Sequence, residues 1–292
     1  LRMLVRTSAE VETSIVAVER CLEYTKLPVE EEPHLRLIKP PEHWPQKGVI
    51  KFNQYSTRYR ENLDLILKKI TFSINSAEKI GIVGRTGAGK SSLALAVFRI
   101  IEAVEGSIEI DGIITSQMFL QDLRHRLSII PQDSQLLEGT IRQNLDPFNY
   151  YTDKEIWHAL ELAHLKEHIE KLPKEEGAEN SKLLNRVTEG GSNFSSGQRQ
   201  LMSLTRVLLK MNDSKILVLD EATAAVDVQT DKIIQQTIRS QFKDKTIITI
   251  AHRLETVMDS DKIVSLDKGE LIEFETPQNL LNKKDGVFYS LC

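Results

Sequence analysis

Short, β-branched apolar runs alternate with longer stretches of helical periodicity over most of the chain. KIGIVG (79–84), KILVLD (215–220) and TIITIA (246–251) are each followed by small or charged residues and then by a helical pattern. That succession predicts buried parallel strands of an α/β fold. VIKFNQYSTRY (49–59) and ILKKITFSI (66–74), joined through RENLD, predict an antiparallel pair ahead of them. The stretch from about 115 to 200 is richer in helical patterning, including DKEIWHALELAHLKEHIEKL, and KEEGAENSKLL (174–184) reads as a loose polar loop. Residues 1–27 carry Leu4, Val11, Ile15, Val18 and Leu22 at roughly helical spacing among charged residues. This predicts a helix with one apolar stripe, which either faces a core or continues a helix whose earlier part is missing. Five prolines and the acidic run Glu30–Glu32 follow by Pro45, so an extended linker is expected over 28–47 and one domain over 48–292. No internal repeat is visible, and no heptad pattern is sustained.

Composition narrows the classes. An apolar share of 40% and a charged share of 27% are those of an ordinary soluble protein, and no apolar run approaches the ~18 to 20 residues of a membrane span. The net charge of -4 supplies no electrostatic reason to expect a nucleic-acid partner. Cys21 and Cys292 lie near opposite ends, which argues against a disulfide framework and fits a reducing compartment. No signal peptide is visible, and a first residue of Leu reads as a trimmed chain or a fragment.

The candidate chemistry begins at GRTGAGKS, Gly84 to Ser91, which follows a predicted strand and opens a predicted helix. Gly84, Arg85, Thr86, Gly87, Ala88, Gly89, Lys90 and Ser91, with Ser92 next, match the G-x-x-x-x-G-K-S/T loop whose backbone amides cradle phosphates at a helix N-terminus. Lys90 is expected to neutralise the β- and γ-phosphates of ATP, and the Ser91 hydroxyl to ligate Mg²⁺. KILVLDE ends a strand in two carboxylates, where α/β folds bind ligands. Asp220 is expected to complete the Mg²⁺ shell, and Glu221 to act on the attacking water. FSSGQRQ starts a further helix, with Ser195 and Gln198 in the S-x-x-Q spacing of a capping box. A capped, glycine-containing helix start is itself an anion site.

Together these features resemble the nucleotide-binding domain of ATP-binding cassette (ABC) transporters. The resemblance implies a P-loop NTPase fold with a RecA-like parallel core, an antiparallel β subdomain and an α-helical subdomain at about 115–200. It implies that Phe194–Gln198 is the signature loop, with Ser195, Ser196, Gly197 and Gln198 meeting the ATP of a partner domain. Gln132, after the strand-like SIIP, resembles the Q-loop glutamine and a Mg²⁺ ligand. Asp227 resembles the D-loop aspartate, His252 the switch histidine, and Tyr59 the aromatic that stacks on adenine; from the residues alone, Tyr59 reads equally as a strand aromatic facing a core. Lys90, Gln132, Glu221 and His252 then form the catalytic set. The signature departs from the usual pattern at Phe194, where Leu is common, and at Ser196, where Gly or Val is common.

VRTSAEVETSIVAVERCLEY, DLRHRLSIIPQDSQLLEGTIRQNLDPF and TIAHRLETVMDSDKI narrow the likeness to the second nucleotide-binding domain of the multidrug-resistance-associated subfamily C, and to fungal vacuolar members that export glutathione conjugates. The resemblance implies an ATPase on the cytosolic face of a membrane, coupled to export of organic anions through a transmembrane domain and a second nucleotide-binding domain. Two other readings remain at this level. One is an orphan ABC domain that binds ATP with little turnover; the other is a soluble ABC ATPase without transport.

Overall fold

The computed structural model describes residues 2–27, 29–30, 37–173, 181–222, 226–251 and 254–291. The chain divides into two compact units, Leu1–Leu37 and Ile38–Cys292. In the first, α1 (Arg2–Thr25) forms where the spacing predicts, but none of its residues is buried. Val11, Ile15, Val18 and Leu22 all stay at least half exposed, so the stripe expected to face a core faces none within this unit.

The second unit begins ten residues before the expected domain start. Residues 38–47, assigned to the linker on their prolines, pack into it because Trp44 is 3% exposed and its indole N–H donates to the carbonyl of Ile110 at 3.0 Å. Truncating Trp44 to alanine is expected to cost about 3–5 kcal/mol of stability, since it opens a cavity and strands that carbonyl. A lower urea midpoint at unchanged m-value is the check.

Two sheets form the body. β1 (Ile50–Thr57) and β2 (Leu67–Ile74) pair antiparallel as predicted, and β4 (Ala103–Ile110) and β5 (Ile113–Ile114) extend them in the order β2-β1-β4-β5. The larger sheet contains β3 (Lys79–Gly84), β6 (Leu127–Ile130), β9 (Ile216–Asp220), β10 (Thr246–Ile250), β11 (Lys262–Asp267) and β12 (Glu270–Glu275). Its order is β12-β11-β3-β10-β9-β6, parallel except for the edge strand β12. The three apolar runs singled out by pattern are therefore its central strands, buried on both faces as an all-parallel core requires. Phe72 stacks on Phe52 (4.6 Å between centroids) and also meets Phe274 of β12, which joins the sheets through one apolar core.

The stretch at 115–200 carries α3 (Leu120–His125), α4 (Ile141–Leu145), α5 (Asp153–Leu162) and α6 (Lys166–Lys171), together with a short pairing of β7 (Gly139–Thr140) with β8 (Arg186–Val187). It also contains β6, a strand of the parallel core. Residues 174–180 of the expected polar loop lie outside the described residues, and Lys182–Leu184 forms a 3₁₀ turn. α7 (Ser196–Leu209) buries its apolar face against this layer, in a second core built on Ile156, Leu160, Leu204 and Leu208.

Candidate nucleotide site

The loop after β3 is shaped by its backbone. Gly87 has φ of 82° with open space where a Cβ would stand, so torsion alone demands glycine. Gly89 has φ of 102°, caps α2 (Lys90–Val97), and would drive a Cβ to 2.8 Å from the Leu67 side chain. Lys90 is 6% exposed and donates to the carbonyls of Gly84 (2.9 Å) and Arg85 (3.2 Å). Burial pushes its ammonium pKa below the ordinary value, while the carboxylates of Glu221 and then Asp220 pull it back. The Ser91 hydroxyl donates to Asp220 Oδ1 at 3.4 Å.

Strand pairing brings the other expected residues to the same edge. Asp220 ends β9 opposite Ile250, the last residue of β10. Glu221 follows at 8% exposure with φ of 48°, an uncommon left-handed conformation for a long side chain, and its amide donates to the Ile250 carbonyl at 2.9 Å. Gln132 is exposed two residues beyond β6, whose Ile130 pairs with Leu219 on the other flank of β9. These C-terminal strand ends are where open α/β sheets bind ligands. His252, expected just past β10, lies outside the described residues.

Tyr59 lies beyond the end of β1 and is 51% exposed, which removes the core reading. Its hydroxyl sits 2.9 Å from Ser92 Oγ, so the ring is tethered to the helix that carries Lys90 and keeps an open face.

The FSSGQRQ segment forms a second cluster. Ser195 caps α7: its hydroxyl accepts from the Gln198 amide (3.2 Å), and the Gln198 side chain accepts from the Ser195 amide (2.9 Å). A Cβ on Gly197 would stand 3.1 Å from Thr230 Oγ1, so α7 lies close to the start of α8 (Val228–Gln241). Thr230 in turn donates to Asp227 Oδ2 at 2.7 Å, and the Gln229 and Thr230 amides donate to Oδ1. The Thr230 hydroxyl, then its amide, hold the Asp227 carboxyl below its usual range, so it stays ionised. The Phe194 departure has a physical place: the ring is buried and meets His168 edge-on at 6.1 Å, while His168 Nδ1 lies 3.3 Å from Gln198 Nε2.

Three polar residues at this site escaped sequence reasoning, namely His168, Gln200 and Arg206. Gln200 left a readable trace, because a glutamine four residues before Leu204 and eight before Leu208 sits on the buried stripe of its own helix.

A family model described as ABC transporter matches residues 67–224, more than half of the chain. The chain belongs to the ABC transporter family. It is 58% identical over 292 residues to the metal resistance protein YCF1 of Saccharomyces cerevisiae, covering 100% of this chain and 19% of that protein. It is 56% identical to ATP-binding cassette sub-family C member 2 of Mus musculus, again over 100% of this chain and 18% of the relative. The chain thus spans about a fifth of the length of these curated relatives. A bacterial Atm1-family ABC exporter solved with ATP bound superposes with a TM-score of 0.82 and 30% identity, over 99% of this chain and 48% of that one. The fold of this ABC domain is that of an ABC exporter ATPase, of the subfamily C type. Among the described residues, no helix is long and apolar enough to cross a membrane.

Proposed function

We propose that this domain is the second, hydrolysing nucleotide-binding domain of a subfamily C exporter and drives export of organic anions or conjugates. Lys90, Ser91, Asp220 and Glu221, gathered where β3 and β9 end, carry the reading. In it, the loop from Gly84 to Ser92 holds the phosphates, Lys90 turns from the Gly84 and Arg85 carbonyls to the β- and γ-oxygens, and Tyr59 offers its open face to adenine. The hydroxyl of Ser91, the carboxylate of Asp220 and the amide oxygen of Gln132 are hard oxygen donors suited to Mg²⁺. Bound there, Mg²⁺ would neutralise charge on the β- and γ-phosphates. Glu221 orients water for attack on the γ-phosphorus and takes its proton as the bridging oxygen leaves with ADP. His252 is assigned to the γ-phosphate on sequence alone.

Ser195, Ser196, Gly197 and Gln198 are a second phosphate grip in a chain with one Lys90 loop, so they serve the nucleotide of a partner domain, with Asp227 beside them. A transmembrane domain, on the same or another chain, completes the machine at the cytosolic face of a membrane, vacuolar by likeness to a vacuolar heme ABC transmembrane exporter of Schizosaccharomyces pombe. Initial ATPase rate against protein concentration tests the partner requirement. A second-order rise shows that copies complete each other's sites, and a negligible rate restored by a first-type cassette shows the same for an unlike partner. A rate strictly proportional to concentration, at full magnitude, overturns it.

A further inference from the structure

Gln200 is 3% exposed, one turn into the helix that Ser195 caps. Both ends of its side chain are engaged. Its carbonyl oxygen accepts from the Ser134 hydroxyl at 2.5 Å, and its amide nitrogen donates to the Pro131 carbonyl at 2.9 Å. Those two partners bracket Gln132, which is itself exposed. Further along α7, Arg206 donates to the carbonyls of Gln135 (3.4 Å) and Asn144 (2.6 Å), and the Asn144 side chain clasps the backbone of Leu137 through both its oxygen and its nitrogen. The segment from 131 to 137 is therefore fastened to α7 on one side, while β6 holds its other end in the parallel sheet.

From this juxtaposition we propose that Gln200 is a positioning residue: it ties the signature helix to the Gln132 loop, so that engagement of Ser195 and Gly197 by the partner's nucleotide sets where Gln132 stands at this chain's own site. The inference rests on the reading of Gln132 given above. A planar amide is suited to the task, because it offers an acceptor and a donor in a fixed geometry to the Ser134 hydroxyl and the Pro131 carbonyl, on either side of Gln132. A hydrophobic residue of similar volume fills the space but leaves the Pro131 carbonyl and the Ser134 hydroxyl without these bonds, freeing the loop from the helix. α7 then still caps and packs, yet its movement no longer reaches Gln132.

The test uses the complete transporter carrying this domain. Gln200→Leu is expected to lower kcat about tenfold, the size of losing one or two buried hydrogen bonds, while the KM for ATP stays within about threefold. Gln200→Glu keeps the acceptor for Ser134 and loses the donor to Pro131, so it falls between. The decisive measurement is the double variant with Gln132→Ala. A residue that acts only through Gln132 adds nothing to its removal, so the double variant turns over as Gln132→Ala does alone. Fully additive losses, or a kcat that merely follows a lowered melting temperature, make Gln200 a packing residue and overturn the proposal. Wild-type kcat in folded Gln200→Leu beside a slow Gln132→Ala overturns the coupling alone. Wild-type kcat in Gln132→Ala overturns the site reading beneath it. If Gln200→Leu fails to fold, Ser134→Ala removes a single hydroxyl and carries the same comparison, with a kcat loss of about threefold expected.

Discussion

Replacing Glu221 by glutamine leaves ATP binding in place and slows turnover by about 10²-fold or more, the contribution expected of a group that orients water and takes its proton. The two side chains are nearly isosteric, so the fold around position 221 has little reason to change. Its left-handed backbone is pinned by the amide bond to Ile250, which the substitution does not touch. What disappears is a charge. The Glu221 carboxylate supports the Lys90 ammonium, so its loss weakens that support slightly. It also removes repulsion between a buried carboxylate and the phosphates of ATP, which acts in the opposite direction. Nucleotide affinity is therefore expected to hold or rise while phosphate release falls. Equilibrium nucleotide binding and steady-state phosphate release, measured on the same preparation, separate the two. Near-wild-type turnover would take the catalytic role away from Glu221.

Much of this site was legible in the sequence because its parts are local. A phosphate loop needs its glycines, lysine and serine within eight residues, between a strand and a helix whose patterns can be read one after the other. The same holds for the S-x-x-Q cap at Ser195, whose reciprocal bonds form within one helical turn. Residues whose partners are distant in sequence were not legible. Gln200 bonds residues more than sixty positions earlier, and only the stripe of its own helix hints at burial. His168 looked like one more polar residue of an amphipathic helix until α6 came to rest against Phe194. Trp44 was hidden in another way. Prolines around it predict a linker, but the same prolines are compatible with a strap packed onto a core, and burial of the indole decides between them. The stripe of α1 shows the reverse limit, since its spacing identifies a helix without saying what covers it.

Replacing Lys90 by methionine abolishes useful ATP binding while leaving the empty domain about as stable as before. The ammonium is buried against two backbone carbonyls, and each charge-assisted hydrogen bond to phosphate that it would make is worth about 1.5–3 kcal/mol. Losing two such bonds raises the Kd by about 10²- to 10⁴-fold. Two effects of opposite sign act on the empty domain. Methionine leaves the Gly84 and Arg85 carbonyls short of a donor, but it also removes a cation whose burial opposes folding. That opposition fixes the sign of a pH dependence. Burial lowers the Lys90 pKa from its ordinary value of 10.5, so the unfolded chain holds this proton more tightly than the folded one. Stability gains from Lys90 as pH rises from the lowered value towards 10.5, and the methionine variant loses that gain. The clearest readout is linkage. At a nucleotide concentration 100 times its Kd, the wild-type domain gains about 2.7 kcal/mol of stability, whereas the variant at the same concentration gains about half a kcal/mol or less. A methionine variant that melts with the full wild-type shift in MgATP would move the phosphate charge partner away from Lys90.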